Sequence, residues 1–255
     1  MKTIRTILLA LLLLLPLAGC SPGDGWREVF RDDFDTLEAW VAEEGEGRWG
    51  TGEIERMSRD NLSLSGGLLA ITPRREGGGW TSGRIRSRRE DFGVPEGGGT
   101  LRVEARIALP AVGPADGKGY WPAFWMLGGH TGWPAVGEID ILEATGGRPE
   151  IMGAMHCGVM PGGPCQEPKG LTTGPQPCAT CFGAFHTYAV ELTGERTTWF
   201  LDGRPYHSMD RSLPRRFFLI LNVAIGGGLP GPPDASTASG RPMLVDHVSV
   251  KLRSR

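Results

Sequence analysis

The chain has 255 residues, a formal net charge of −2 at pH 7, 40 glycines and 20 prolines. Near-neutral charge argues against a nucleic-acid partner held by a basic surface, and the length suits one ordinary soluble domain. That much glycine and proline fits many strands joined by turns and argues against a helical protein.

Residues 1–20 read as a targeting segment outside the fold. Lys2 and Arg5 precede an apolar run from Ile7 to Leu15 that is too short for a lasting membrane helix. Leu17-Ala18-Gly19-Cys20 resembles the end of a bacterial lipoprotein signal, which implies cleavage and lipidation at Cys20. A plain secretory signal is the alternative. The expectation is an exported, lipid-anchored protein of the cell envelope, with residues 21–28 as a short tether and 29–255 as one catalytic domain. No internal repeat marks a second unit, and a monomer is expected.

Candidate strands run over 26–33, 62–64, 68–72, 81–87, 101–109, 120–127, 137–143, 152–156, 185–192, 197–201, 217–225 and 243–252. Helical periodicity is missing apart from a turn over 37–40. In 101–109, Leu101, Val103, Ala105, Ile107 and Leu109 alternate with Arg102, Glu104 and Arg106, the pattern of a half-buried strand. Residues 197–201 run into Asp202-Gly203 and then Pro205-Tyr206-His207, which predicts a hairpin with a two-residue turn. Many short antiparallel strands predict a two-sheet sandwich.

Within 120–127, Trp121, Ala123 and Trp125 share one face, with Phe124 and Met126 on the other. Indoles four residues apart on a strand stand roughly 13 Å apart, so they suit an extended oligosaccharide as well as core packing. The next strand carries the chemistry. Gly137-Glu138-Ile139-Asp140-Ile141-Leu142-Glu143 holds three carboxylates in an apolar, β-branched run. An unpaired buried carboxylate is costly, so one face must look into a wet cleft. Glu138 and Asp140 point one way, Ile139 and Ile141 the other. Unbroken alternation would place Leu142 in the cleft and Glu143 in the core. A one-residue bulge near Ile141-Leu142 corrects the phase and returns Glu143 to its partners. Such acids suit glycosidic cleavage, in which one is ionised and another protonated. Glu138 and Glu143 would stand on the order of 13 Å apart along the backbone even so. Retention needs their carboxyl groups roughly 5–5.5 Å apart. The side chains must therefore lean together.

Four cysteines follow in a Gly/Pro-rich segment: Cys157, Cys165, Cys178 and Cys181. Export favours two disulfides, for which three pairings exist. A zinc site using Cys178, Cys181, Cys165 and Cys157 is the rival reading.

The string from Glu138 to Glu143 resembles the E-x-D-x-x-E signature of glycoside hydrolase family 16, in the bulged form of laminarinase-like members. The resemblance extends from about Val29 to Val250. It implies an all-β jelly-roll sandwich, concanavalin A-like, with a concave substrate groove. It also implies an endo-acting retaining hydrolase of β-1,3- or mixed-linked β-1,3-1,4-glucan. Glu138 would be the nucleophile and Glu143 the general acid/base, and Asp140 would hold a proton or hydrogen bond between them. Trp121, Trp125 and Trp133 would line the cleft. Arg84 in Ser82-Gly83-Arg84 would donate to sugar, although chemistry alone favours pairing with a surface acid. His156 would bond in the groove or tune an acid, with a histidine held by backbone as the alternative. Asn222 fits cleft lining and internal hydrogen bonding equally. Catalysis would need no cofactor. Asp246 matches a strand whose aspartate, with backbone carbonyls, holds a structural calcium; a plain surface aspartate is the alternative. Trp49-Gly50-Thr51-Gly52-Glu53 departs from the family's W-G-N-N-E, and Gly226–Gly231 lacks a tryptophan usual there. Alternatives are action on a galactan, transglycosylation, and a non-catalytic glucan-binding surface protein.

Overall fold

A computed structural model describes residues 25–46 and 50–255. Cys20 and Trp49 lie outside the described residues. Among these, two eight-stranded sheets carry the fold. One sheet runs in the order Arg204–Met209, Thr197–Leu201, Phe185–Leu192, Gly99–Ala108, Met243–Ser254, Leu68–Ile71, Leu62–Ser65, with Arg27–Asp32 beside Met243–Ser254. The other runs Leu171–Thr172, Glu150–His156, Glu138–Glu143, Tyr120–Leu127, Phe218–Ile225, Arg84–Ser87, Trp40–Ala42, and Gln176–Pro177 adds to Glu150–His156. Leu101, Val103, Ala105 and Ile107 from the first sheet share one buried cluster with Phe124, Met126, Ile139, Leu219 and Leu221 from the second. The alternation of 101–109 is thus spent as expected, apolar side in.

A small third sheet joins Gly45–Glu46, Glu55–Met57, Gly79–Ser82 and Arg74–Glu76. It accounts for one difference from the sequence reading. Residues 81–87, read as a single strand, divide at Gly83 into Gly79–Ser82 and Arg84–Ser87, which serve different sheets. Pairing of the first strand begins at Arg27, inside the stretch 21–28 read as a tether. The turn after Leu37 is present, closed by the Trp40 amide on the Leu37 carbonyl at 3.0 Å. The hairpin at Asp202-Gly203 pairs Leu201 with Arg204, and its two turn residues have φ of 49° and 75°, the type I′ requirement.

The bulge is where the sequence places it. Asp140 faces Trp125, Leu142 faces Phe124 and Glu143 faces Ala123, so Ile141 is the extra residue. On the other side Asp140 faces Ala154 and Glu143 faces Met152, with the same slip. Ile139, Ile141 and Leu142 all enter the buried cluster. The Asp140 carbonyl accepts from the indole Nε1 of Trp199, at 2.8 Å, across from the opposite sheet. A bulge thus has its own donor, which matters because an unpaired buried carbonyl is expensive. Gly153 makes this approach possible. A Cβ there would clash with Nε1 of Trp199 and lie 2.8 Å from the Asp140 carbonyl oxygen.

Gly153→Ala should therefore cost about 1–3 kcal/mol, the usual cost of overpacking a tight core. Thermal unfolding is the check. A Tm lower by several degrees is expected at roughly 2–4 °C per kcal/mol for a domain of this size, and an unchanged Tm contradicts the packing described.

Candidate active site

Cross-strand pairing lays the site out in rows on one face of the second sheet. Met152, Glu143, Ala123, Asn222 and Arg84 form one row, each opposite the next. Ala154, Asp140, Trp125, Ile220 and Arg86 form the next, and His156, Glu138, Leu127 and Phe218 the third. The bulge moves Glu143 into the first row. Small Ala123 opposite it leaves room for a diagonal neighbour to reach across. That neighbour is Trp121, whose Nε1 donates to Oε1 of Glu143 at 2.9 Å.

All three acids are largely withdrawn from water, with side chains of Glu138 and Asp140 only 14% and 8% exposed. Burial is the largest influence on each and pushes each carboxyl above its ordinary range. Glu138 rises to about 7, with the Glu143 charge adding to the rise and His156 opposing it. Asp140 rises well above its usual value, because Glu138, Glu143 and Glu167 all add like charge to its burial. Glu143 also rises, held back by the Trp121 indole and by His156. Three such groups cannot all ionise together near neutrality, so a proton stays among them. Asp140, between the two glutamates in sequence and facing both charges, is the group best placed to hold it.

The aromatic residues do more than line the groove. Nε1 of Trp125 donates to Oδ1 of Asn222 at 2.8 Å, and the Arg84 guanidinium lies 4.8 Å from the Trp125 ring centre. Arg84 is 8% exposed and paired with Glu43, so its charge is engaged inside the sheet. Of the residues expected to contact sugar, Arg84 is thus paired within the sheet beside the Trp125 ring, and Asn222 accepts from that ring's indole through Oδ1. His156 ends its strand beside the acids, with Nε2 3.6 Å from Oδ2 of Asp140 and 3.9 Å from Oε1 of Glu138. Trp133, 40% exposed, tilts toward the His156 ring at 5.6 Å. Glu138, Asp140 and His156 each present an atom within 4.8 Å of the others. The raised carboxyls of Glu138, Asp140 and Glu143 fit a proton-sharing cluster.

Cys157 pairs with Cys165 and Cys178 with Cys181. Bonded sulfurs leave no thiolate for a metal, which removes the zinc reading. Oδ2 of Asp246 takes the Arg106 guanidinium at 3.3 Å and Nδ1 of His247 at 2.8 Å. A carboxylate already matched by a guanidinium is a poor cation ligand, so the residues present do not fit calcium at this position. The two loops that depart from the family pattern meet at the Trp121 end of the groove. The amide of Gly228 donates to the Thr51 carbonyl at 3.0 Å, and Gly227 lies against the Trp121 ring. Ile54 and Leu229 are exposed there, 54% and 41% respectively. Sequence reasoning missed Glu43, Glu167 and Trp199. None sits in a spacing pattern: Trp199 looks like any core residue of an alternating strand, and the two glutamates lie in connections.

A family model for the glycosyl hydrolases family 16 matches residues 55–239. The chain belongs to that family. It is 41% identical to a solved endo-1,3-β-glucanase from Streptomyces sioyaensis, with a TM-score of 0.84 over 93% of this chain and 100% of that one. It is 30% identical to a β-glucanase of Rhodothermus marinus, covering 93% of this chain and 92% of the relative. It is also 30% identical to the clotting factor G alpha subunit of Tachypleus tridentatus, but spans only 35% of that longer protein. The family's all-β sandwich is the fold described above.

The Trp121 bond makes a signed prediction. An N–H donated to Glu143 favours its ionised form and so lowers its pKa. Trp121→Phe removes the donor, the carboxyl keeps its proton to higher pH, and the alkaline limb of kcat/KM should move upward. A pH profile that stays in place or moves down contradicts the assignment.

Proposed function

We propose that the protein is an endo-acting retaining hydrolase of β-glucan, with β-1,3- or mixed β-1,3-1,4-linkages as substrate. The observation that carries this reading is the bulged strand that sets Glu138, Asp140 and Glu143 on one face of a tryptophan-lined groove. Glu138 attacks the anomeric carbon while Glu143 gives its proton to the departing glycosidic oxygen, so one C–O bond forms as another breaks. Glu143, now ionised, takes a proton from water, and that water's oxygen displaces Glu138 with retained configuration. Asp140, neutral beside two glutamates, can donate a hydrogen bond to Glu138 as its charge grows and is spent. These side chains supply nucleophile and acid, so the reading gives no part of the chemistry to a cofactor. The names of the glucanase relatives support the substrate class, and the Trp121–Trp125 platform suits a chain of several sugars.

The reading extends to location. Export and lipid anchoring at Cys20 rest on the Leu17–Cys20 motif, and two disulfides agree with an oxidising compartment. The monomeric catalytic domain would then work at the envelope, tethered by acyl chains. Membrane retention that survives Cys20→Ser would refute the anchor.

Glu138→Gln and Glu143→Gln should each lower turnover of laminarin by on the order of a thousandfold or more while laminarin still binds. Reducing-sugar release and product sizing on laminarin, curdlan, lichenan and agarose test both mechanism and substrate. Short laminari-oligosaccharides are expected. Undiminished turnover in either variant removes the mechanism, and cleavage of agarose alone moves the substrate to galactans.

A further inference from the structure

The loop after the catalytic sheet's Glu150–His156 strand carries a carboxylate that the reaction above does not use. Glu167 has a fully buried side chain, 0% exposed, although its neighbours Gln166, Pro168 and Lys169 in this glycine- and proline-rich segment are exposed. Its two oxygens are both engaged. Oε1 accepts from the Cys157 amide at 2.9 Å, and Oε2 lies 2.9 Å from Nδ1 of His156. Its own backbone is held as well: Glu167 and Gly162 exchange amide bonds at 2.7 and 2.8 Å. The disulfide from Cys157 to Cys165 closes the same loop at its base. Gly170 then folds back over the imidazole, so tightly that a Cβ there would sit 2.6 Å from Cε1 and 2.8 Å from Nδ1. His156 is therefore gripped at one nitrogen and along one face by a single cross-linked loop.

A carboxylate can only accept hydrogen bonds, so its contact with Nδ1 requires the hydrogen to be on that nitrogen. Which ring nitrogen carries the proton is set by the bond the other one makes. With Nδ1 committed to Glu167, only Nε2 is left to face the acids, 3.6 Å from Asp140 and 3.9 Å from Glu138. We propose that Glu167 is a positioning residue for hydrolysis, holding His156 as its Nδ1–H form so that Nε2 meets Asp140 and Glu138. With the hydrogen on Nδ1, the Nε2 lone pair is turned toward Oδ2 of Asp140 and Oε1 of Glu138. The cross-linked loop from Cys157 to Gly170 thereby becomes a working part of the site and not merely its rim.

The proposal rests on the hydrolytic reading above, and its test separates the two. In the wild-type protein, labelled with ¹⁵N at histidine, the His156 ring should show a protonated Nδ1. A ring protonated at Nε2 alone overturns the proposal, whatever the enzyme's activity. Glu167→Gln keeps the shape but replaces one acceptor with an amide that can only donate. With laminarin as substrate it should lower kcat by about tenfold or more, the size of effect seen when carboxylates that orient metal-bound histidines are lost, with KM within about twofold. Wild-type kcat in a Glu167→Gln protein of native Tm overturns the proposal, as does a loss seen only in KM. Should that variant not fold, the wild-type tautomer decides the matter. A wild-type chain that turns over no glucan defeats the hydrolytic reading instead.

Discussion

One extra residue in one ladder determines where the chemistry happens. With Ile141 inserted, Ile139, Ile141 and Leu142 all reach the core, and Glu138, Asp140 and Glu143 all reach the groove. Strict alternation satisfies one of those sets at the expense of the other. The carbonyl that the insertion turns out of register is met by the Trp199 indole, and Gly153 leaves the space for it. The shape of the active strand is therefore maintained from the opposite sheet, through the core, by a residue with no contact to substrate.

That geometry creates the electrostatic problem the site then exploits. Three carboxyls brought into a partly dry groove raise one another's pKa, and burial adds to the effect. The surroundings answer selectively. Trp121 donates to Glu143, and His156 stands against Glu138 and Asp140. Asp140 receives like charge from both glutamates and from Glu167, which together with its burial holds its carboxyl well above the ordinary range. A double displacement needs one carboxyl ionised and another protonated, and a proton held on Asp140 lets its two neighbours take those opposite states.

Much of this was legible in the sequence because short-range spacing carried it. The phase conflict between Leu142 and Glu143 announced the bulge, and Asp202-Gly203 announced its hairpin. Strands long enough to alternate, such as Gly99–Ala108 and Tyr120–Leu127, were readable. Strands of two or three residues, such as Gly45–Glu46 and Gln176–Pro177, were not, since no period can be seen in them. The site's supporting residues were hidden for a different reason. Arg84 looks the same whether it points to sugar or, as it does, is paired with Glu43 beneath Trp125. Glu167 gains its meaning only when the loop folds back on His156. Contacts between residues distant in sequence leave no local pattern.

The bulge should bring Glu138 and Glu143 to the same sugar at the separation of a retaining pair, about 5–5.5 Å, and not at the roughly 6.5–9.5 Å of an inverting one. Proton NMR of the anomeric signals during the first minutes of laminarin hydrolysis tests it most directly. The β-anomer should appear first and only later equilibrate with the α-anomer by mutarotation. An α-anomer as the first product would mean inversion and rule out Glu138 as the nucleophile.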